Sequence, residues 1–209
     1  MKMFKSAIFL LVVSTLTGCG DNFSCENEEV LKSVNEVIVS NAVNKVDFRT
    51  FRPYGQSGLT SHAVKITWDN PIAIDSNPNV KSLTCKVHLT AMLSDDENNN
   101  LKQRIDDINQ RAMKESSYES NKSFIANVNK TAIDMANTRQ VTGTVEYTLY
   151  QSKGQVVTEV SNTPEVSRVI NHIGDKLLRP ITRVYAAQRG ELSLNNFYSI
   201  DILSMFRAR

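Results

Sequence analysis

Leu83-Thr84-Cys85-Lys86-Val87-His88-Leu89-Thr90-Ala91-Met92-Leu93 is the stretch from which the fold is read. Cys85, Val87, Leu89, Ala91 and Leu93 fall on one face, and Lys86, His88 and Thr90 on the other. An apolar/polar period of two over this length is the pattern of a strand with one buried face. Upstream, Val64, Ile66 and Trp68 alternate with Lys65 and Thr67. The intervening Asp75-Ser76-Asn77-Pro78-Asn79 is turn chemistry, so the two runs pair as a hairpin. A second hairpin follows from Val141, Gly143, Val145, Tyr147 and Leu149, a turn at Ser152-Lys153-Gly154, and a return strand from Gln155 to Val160.

Helical periodicity surrounds these strands. Over residues 27–46, Val30, Leu31, Val34, Val37, Ile38 and Ala42 recur every three or four positions, with Glu26, Glu28 and Glu29 at the end that favours negative charge. Asp47 to Leu59, with Pro53, Gly55 and Gly58, is a loop. Between the hairpins, residues 95–138 form a polar helical insertion. Leu101, Ile105, Ile108 and Ala112 make one thin apolar stripe, and Phe124, Ile125, Val128, Ala132 and Met135 a second. Thr163-Pro164-Glu165 is a helix start, a capping residue followed by Pro where no N–H is needed. Val166, Val169, Ile170, Ile173 and Leu177 give that helix its apolar face; Pro180 interrupts it, and residues 181–188 resume. The expected fold is α+β: an N-terminal helix against a roughly four-stranded antiparallel sheet, with a helical insertion and a helical C-terminal part at about 163–206. In architecture it loosely resembles cystatin and nuclear-transport-factor-like folds.

The chain has 209 residues, 24 Lys+Arg against 22 Asp+Glu, and a formal net charge of +2. Both surplus positives, Lys2 and Lys5, precede an apolar run from Ala7 to Val13. That run is too short to cross a bilayer core of roughly 30 Å, and basic start plus short apolar core is the build of a secretory signal. Leu16-Thr17-Gly18-Cys19 then resembles the lipobox of bacterial lipoproteins. The resemblance implies removal of residues 1–18, a thioether-linked diacylglycerol on Cys19, and an acyl chain such as palmitate on its new amino group. Residues 19–26 would be anchor and short tether, and 27–209 a single domain. In Gram-negative sorting, Gly20 after the Cys favours the periplasmic face of the outer membrane over the inner membrane. Removal of 1–18 leaves 191 residues with 22 basic and 22 acidic side chains, a neutral domain. A neutral domain lacks the basic surplus needed to displace counterions from nucleic acid.

In the oxidising compartment that this implies, Cys25 and Cys85 can form one intramolecular disulfide; the alternative is two buried thiols. The inventory for catalysis is thin. His62, His88 and His172 fall in separate elements, each a surface imidazole by pattern. Gly55-Gln56-Ser57-Gly58 has Leu59 where a nucleophile elbow needs its last Gly. Asp95-Asp96-Glu97 lacks the spaced oxygens of a calcium loop and reads as a solvated turn before a helix. Asp106-Asp107 with Lys102 and Arg104 reads as a solvent face. No metal site and no cofactor is expected. The C-terminal segment holding Phe197, Tyr198, Ile202 and Phe206 is the stickiest; it packs on the domain or docks a partner. Two functions remain in view. One is a non-enzymatic, membrane-anchored module binding another envelope protein. The other is a small-ligand carrier or hydrolase with a cleft between sheet and helix.

Overall fold

The computed structural model describes residues 23–46, 59–115, 139–152 and 155–189. Helix α1 (Glu28–Val46) is followed by a short 3-10 turn (Ser61–Ala63), strands β1 (Val64–Asn77) and β2 (Ser82–Leu93), and helix α2 (Asp95–Glu115). Strands β3 (Val141–Ser152) and β4 (Gln155–Val160) precede one long helical run. That run comprises α3 (Pro164–His172), a π-helical stretch (Ile173–Leu178) and α4 (Arg179–Gln188). The fold is α+β, with an antiparallel four-stranded sheet in the order β1-β2-β3-β4.

Helices α1, α2 and α3 each start where a side chain satisfies their first amides. Asn27 Oδ1 accepts from the amides of Glu29 at 2.9 Å and Val30 at 3.2 Å. Ser94 Oγ accepts from Glu97 N at 3.2 Å, and Thr163 Oγ1 from Val166 N at 3.3 Å. The alternation of β2 is realised in full: Cys85, Val87, Leu89, Ala91 and Leu93 are buried, while Lys86 and His88 are exposed. Val145, Tyr147 and Leu149 of β3 join them, and α1 and α3 cover this inner face with Val34, Ile38, Val166 and Val169. Lys45 Nζ donates to Asn171 Oδ1 at 2.9 Å and ties the end of α1 to α3. Leu101, Ile105, Ile108 and Ala112 of α2 are buried as their stripe requires, and α2 packs mainly along α4.

Two expectations need correction. Asp75-Ser76-Asn77 is not turn but the last part of β1, and the chain reverses only at Pro78–Lys81. Asp75, Ser76 and Asn77 pair with Thr84, Leu83 and Ser82, because register shifts between Asp69 and Ile72 and between Ala73 and Asp75 let the pairing continue. Pro180 does not interrupt the last helix. A proline inside a helix removes an N–H and crowds the carbonyl four residues earlier, here that of Lys176. The helix widens to π spacing just before it, with Arg179 N–H donating to Gly174 O, and the Arg139 guanidinium donates to the Lys176 carbonyl. The second stripe of the insertion, at 124–135, lies outside the described residues.

Candidate functional site

The inner face of the sheet holds the disulfide. Cys25 and Cys85 are bonded with Cα atoms 5.7 Å apart and 60 residues of separation. Cys85 faces inward from β2, and Cys25 sits just ahead of α1, so the bond clamps the start of that helix to the sheet. Beside it, Tyr147 is fully buried, and its hydroxyl donates to the Cys25 carbonyl at 2.6 Å. Burial pushes the Tyr147 phenol up to about 12, so it remains a donor. The bridge expected from two cysteines is therefore present, and this hydrogen bond reinforces it.

The histidines do not converge. His62 is on the 3-10 turn, His88 on the outer face of β2, and His172 at the end of α3. The outer face is polar. Cross-strand register sets Asp69, His88 and Thr144 in one row, Thr67, Thr90 and Thr142 in the next, and Ile72, Lys86 and Glu146 on the other side. Lys86 Nζ lies 3.2 Å from Glu146 Oε1, and the hydroxyls of Thr84 and Thr148 are 3.3 Å apart. This array presents hydroxyls and charges on the outer face. Among the described residues no hydrogen bond joins Asp69, His88 and Thr144.

A second polar group lies between α2 and α4, where sequence reasoning placed solvent. Asp95 and Asp96 form the exposed first turn of α2, but Glu97 is only 8% exposed. Its carboxylate accepts a hydrogen bond from the Tyr185 hydroxyl. Loss of hydration raises the carboxyl above its ordinary 4.5, against the lowering effects of Tyr185 and Arg104. Burial and the adjacent carboxylate push the Tyr185 phenol up in turn. Arg104 stacks 3.9 Å over the Tyr185 ring and donates to Gln188 Oε1, while Gln188 Nε2 donates to Asp107 Oδ2 at 3.0 Å. Arg104 and Asp107 thus tie helix to helix. A readable signal existed for Glu97: it stands four residues before Leu101, on the same stripe as Ile105 and Ile108. Tyr185, Arg104 and Gln188 each donate to an acceptor of the same cluster. Its chemistry is that of a lock between helices.

Cys19, Phe197, Tyr198, Ile202, Phe206 and the Gly55-Gln56-Ser57-Gly58 segment lie outside the described residues. Among the described residues, no group of three His, Cys, Asp or Glu side chains is placed to hold a metal ion, and no helix is long and apolar enough to cross a membrane. Comparison of the chain with protein-family models, with curated proteins and with solved structures finds no match in any of the three.

Proposed function

We propose that this chain is a bacterial lipoprotein, acylated at Cys19 and held at the periplasmic face of the outer membrane, which acts without catalysis by binding another envelope protein. The observation that carries the reading is Leu16-Thr17-Gly18-Cys19 directly behind Lys2, Lys5 and the Ala7–Val13 apolar core. Small residues before a cysteine let a peptidase reach the backbone, and only a thiol can give the thioether. Each acyl CH₂ buried in the bilayer contributes about 0.8 kcal/mol, so several chains on one residue make attachment effectively permanent.

Two features support it. A buried Cys25–Cys85 bridge suits an oxidising compartment. The outer sheet face around His88, Thr90, Thr142 and Thr144 is polar and leaves an imidazole and hydroxyls open to a partner.

Cys19→Ala tests the anchor: the variant is expected in the soluble fraction, unacylated, and its retention in washed membranes would sink the assignment. Light cross-linking of membranes followed by capture of the wild-type chain tests the binding role. Recovery of a stoichiometric envelope protein is the expected result. If no protein is captured and a small molecule raises the melting temperature of the purified chain, the carrier reading replaces it.

A further inference from the structure

Ile72 at 53%, Ile74 at 46% and Val80 at 59% are the large apolar side chains left exposed among the described residues. All three lie on the far end of the β1–β2 hairpin. Ile72 pairs across the sheet with Lys86, Ile74 falls at the second register shift, and Val80 sits in the turn. Isolated exposed apolar residues are ordinary, but their confinement, among the described residues, to the turn half of one hairpin is not.

The chain enters the domain at that same end. Strand order β1-β2-β3-β4 puts the β1–β2 and β3–β4 turns on one side of the sheet. Cys85 is three residues from Ser82, where β2 begins, a distance of roughly 10 Å along the strand. The disulfide fixes Cys25 there, and only five residues lie between Cys25 and Cys19, a reach of roughly 20 Å when fully extended. An acyl group on Cys19 would therefore tether the domain from its hairpin-tip end.

We infer that the β1–β2 hairpin tip, through Ile72, Ile74 and Val80, is a lipid-contacting surface that beds into the headgroup region of the membrane holding the chain. The inference rests on the anchor proposed at Cys19. A strand added by a partner protein suits this edge poorly. Asn70, at φ 49°, and Pro71 lie between the paired residues Asp69 and Ile72, and Pro71 has no N–H to offer. Asp75 and Lys81 on the tip offset each other, so apolar burial and not charge would hold it, and contact should survive high salt.

The test uses the full acylated chain reconstituted into phosphatidylcholine vesicles, with and without bromine on the lipid acyl chains. Tryptophan is placed at the tip by Val80→Trp or at the far end of β1 by Lys65→Trp, both at exposed positions, and each is read against the wild-type emission of Trp68. The expected result is a blue-shifted Val80→Trp emission that brominated lipid quenches, unchanged in high salt, with Lys65→Trp unaffected. Vesicle-bound protein whose Val80→Trp emission is unquenched, or quenched no more than that of Lys65→Trp, overturns the tip contact and leaves the anchor standing. A tip tryptophan blue-shifted but insensitive to bromine assigns the surface to a protein contact and overturns it equally. Failure of the wild-type chain to float with vesicles overturns the anchor and the tip contact together.

Discussion

Tyr147 has its hydroxyl in the core, where an unpaired donor or acceptor is costly, and the Cys25 carbonyl is the group it meets. Tyr147→Phe keeps the ring and strands that carbonyl. The expected loss is about 1–3 kcal/mol, read as a lower urea midpoint for the oxidised protein; an unchanged midpoint would show that the carbonyl finds another donor. Glu97 has the opposite character. Its carboxyl is raised above the ordinary 4.5, so the folded state holds the proton more tightly than the unfolded state does. Stability attributable to this group therefore falls as pH rises from about 4.5 through the raised value, and the loss is complete above it. Glu97→Gln keeps an oxygen to accept from Tyr185 and removes that dependence. Urea titrations from acid to neutral pH should show the variant gaining on the wild type as pH rises; parallel curves would show that Glu97 does not titrate in this window. Three acids in a row signal solvent, and although the stripe of Leu101, Ile105 and Ile108 turns Glu97 inward, the raised carboxyl depends on what packs over it. Tyr185, the group that meets it, comes 88 residues later.

At the scale of elements, the close approach of α3 to β3 depends on Gly143. A Cβ added there would lie 2.3 Å from Val169 Cγ2, inside van der Waals contact, so the Val169 side chain, the helix or the strand must shift. Gly143→Ala is expected to cost about 1–3 kcal/mol, measured by thermal or urea unfolding. The same change should cost clearly less in a Val169→Ala background, where the opposing methyl is gone; equal costs in both backgrounds would place the strain elsewhere. Gly143 was legible as an inward-facing strand residue, but not as the seat of a helix. The same limit applies to Pro180. Local rules say that a helix ends there, and they hold for an isolated helix. Here the π turn opens the backbone ahead of the ring, Arg139 supplies the missing donor, and the buried Leu177, Leu178 and Ile181 hold the run together. Arg139 comes from just before β3, a partner that no window around Pro180 contains.

For the whole molecule, the disulfide is the covalent frame. Closing a loop with a sequence separation of 60 should stabilise the domain by around 4 kcal/mol on the chain-entropy model. Reduction, or Cys25→Ala with Cys85→Ala, should lower the unfolding midpoint accordingly; an unaffected midpoint would mean that the reduced chain is already constrained. A thiol assay on denatured, unreduced protein is informative twice over. No free thiol is expected if Cys19 is acylated and Cys25–Cys85 bonded, and one free thiol would indicate an unmodified Cys19. On the anchor proposed at Cys19, the bridge would also bear on orientation, because the tether would start from the end of the sheet where Cys25 is pinned.

Periodicity in the chain alone determined the hairpins, the inward face of β2 and β3, the buried stripes of α1, α2 and α3, and the α+β class. Those features follow from local backbone geometry, which repeats every two or 3.6 residues and is written in consecutive side chains. Tertiary structure alone decided which polar groups would be interior and which apolar ones would not. Glu97 entered the core because Tyr185 and Arg104 came to meet it, and Ile72 and Ile74 stayed outside because nothing in the described chain packs over the end of β1. Burial is a property of what lies opposite a residue, and what lies opposite is chosen by contacts too distant in sequence for a local pattern to record.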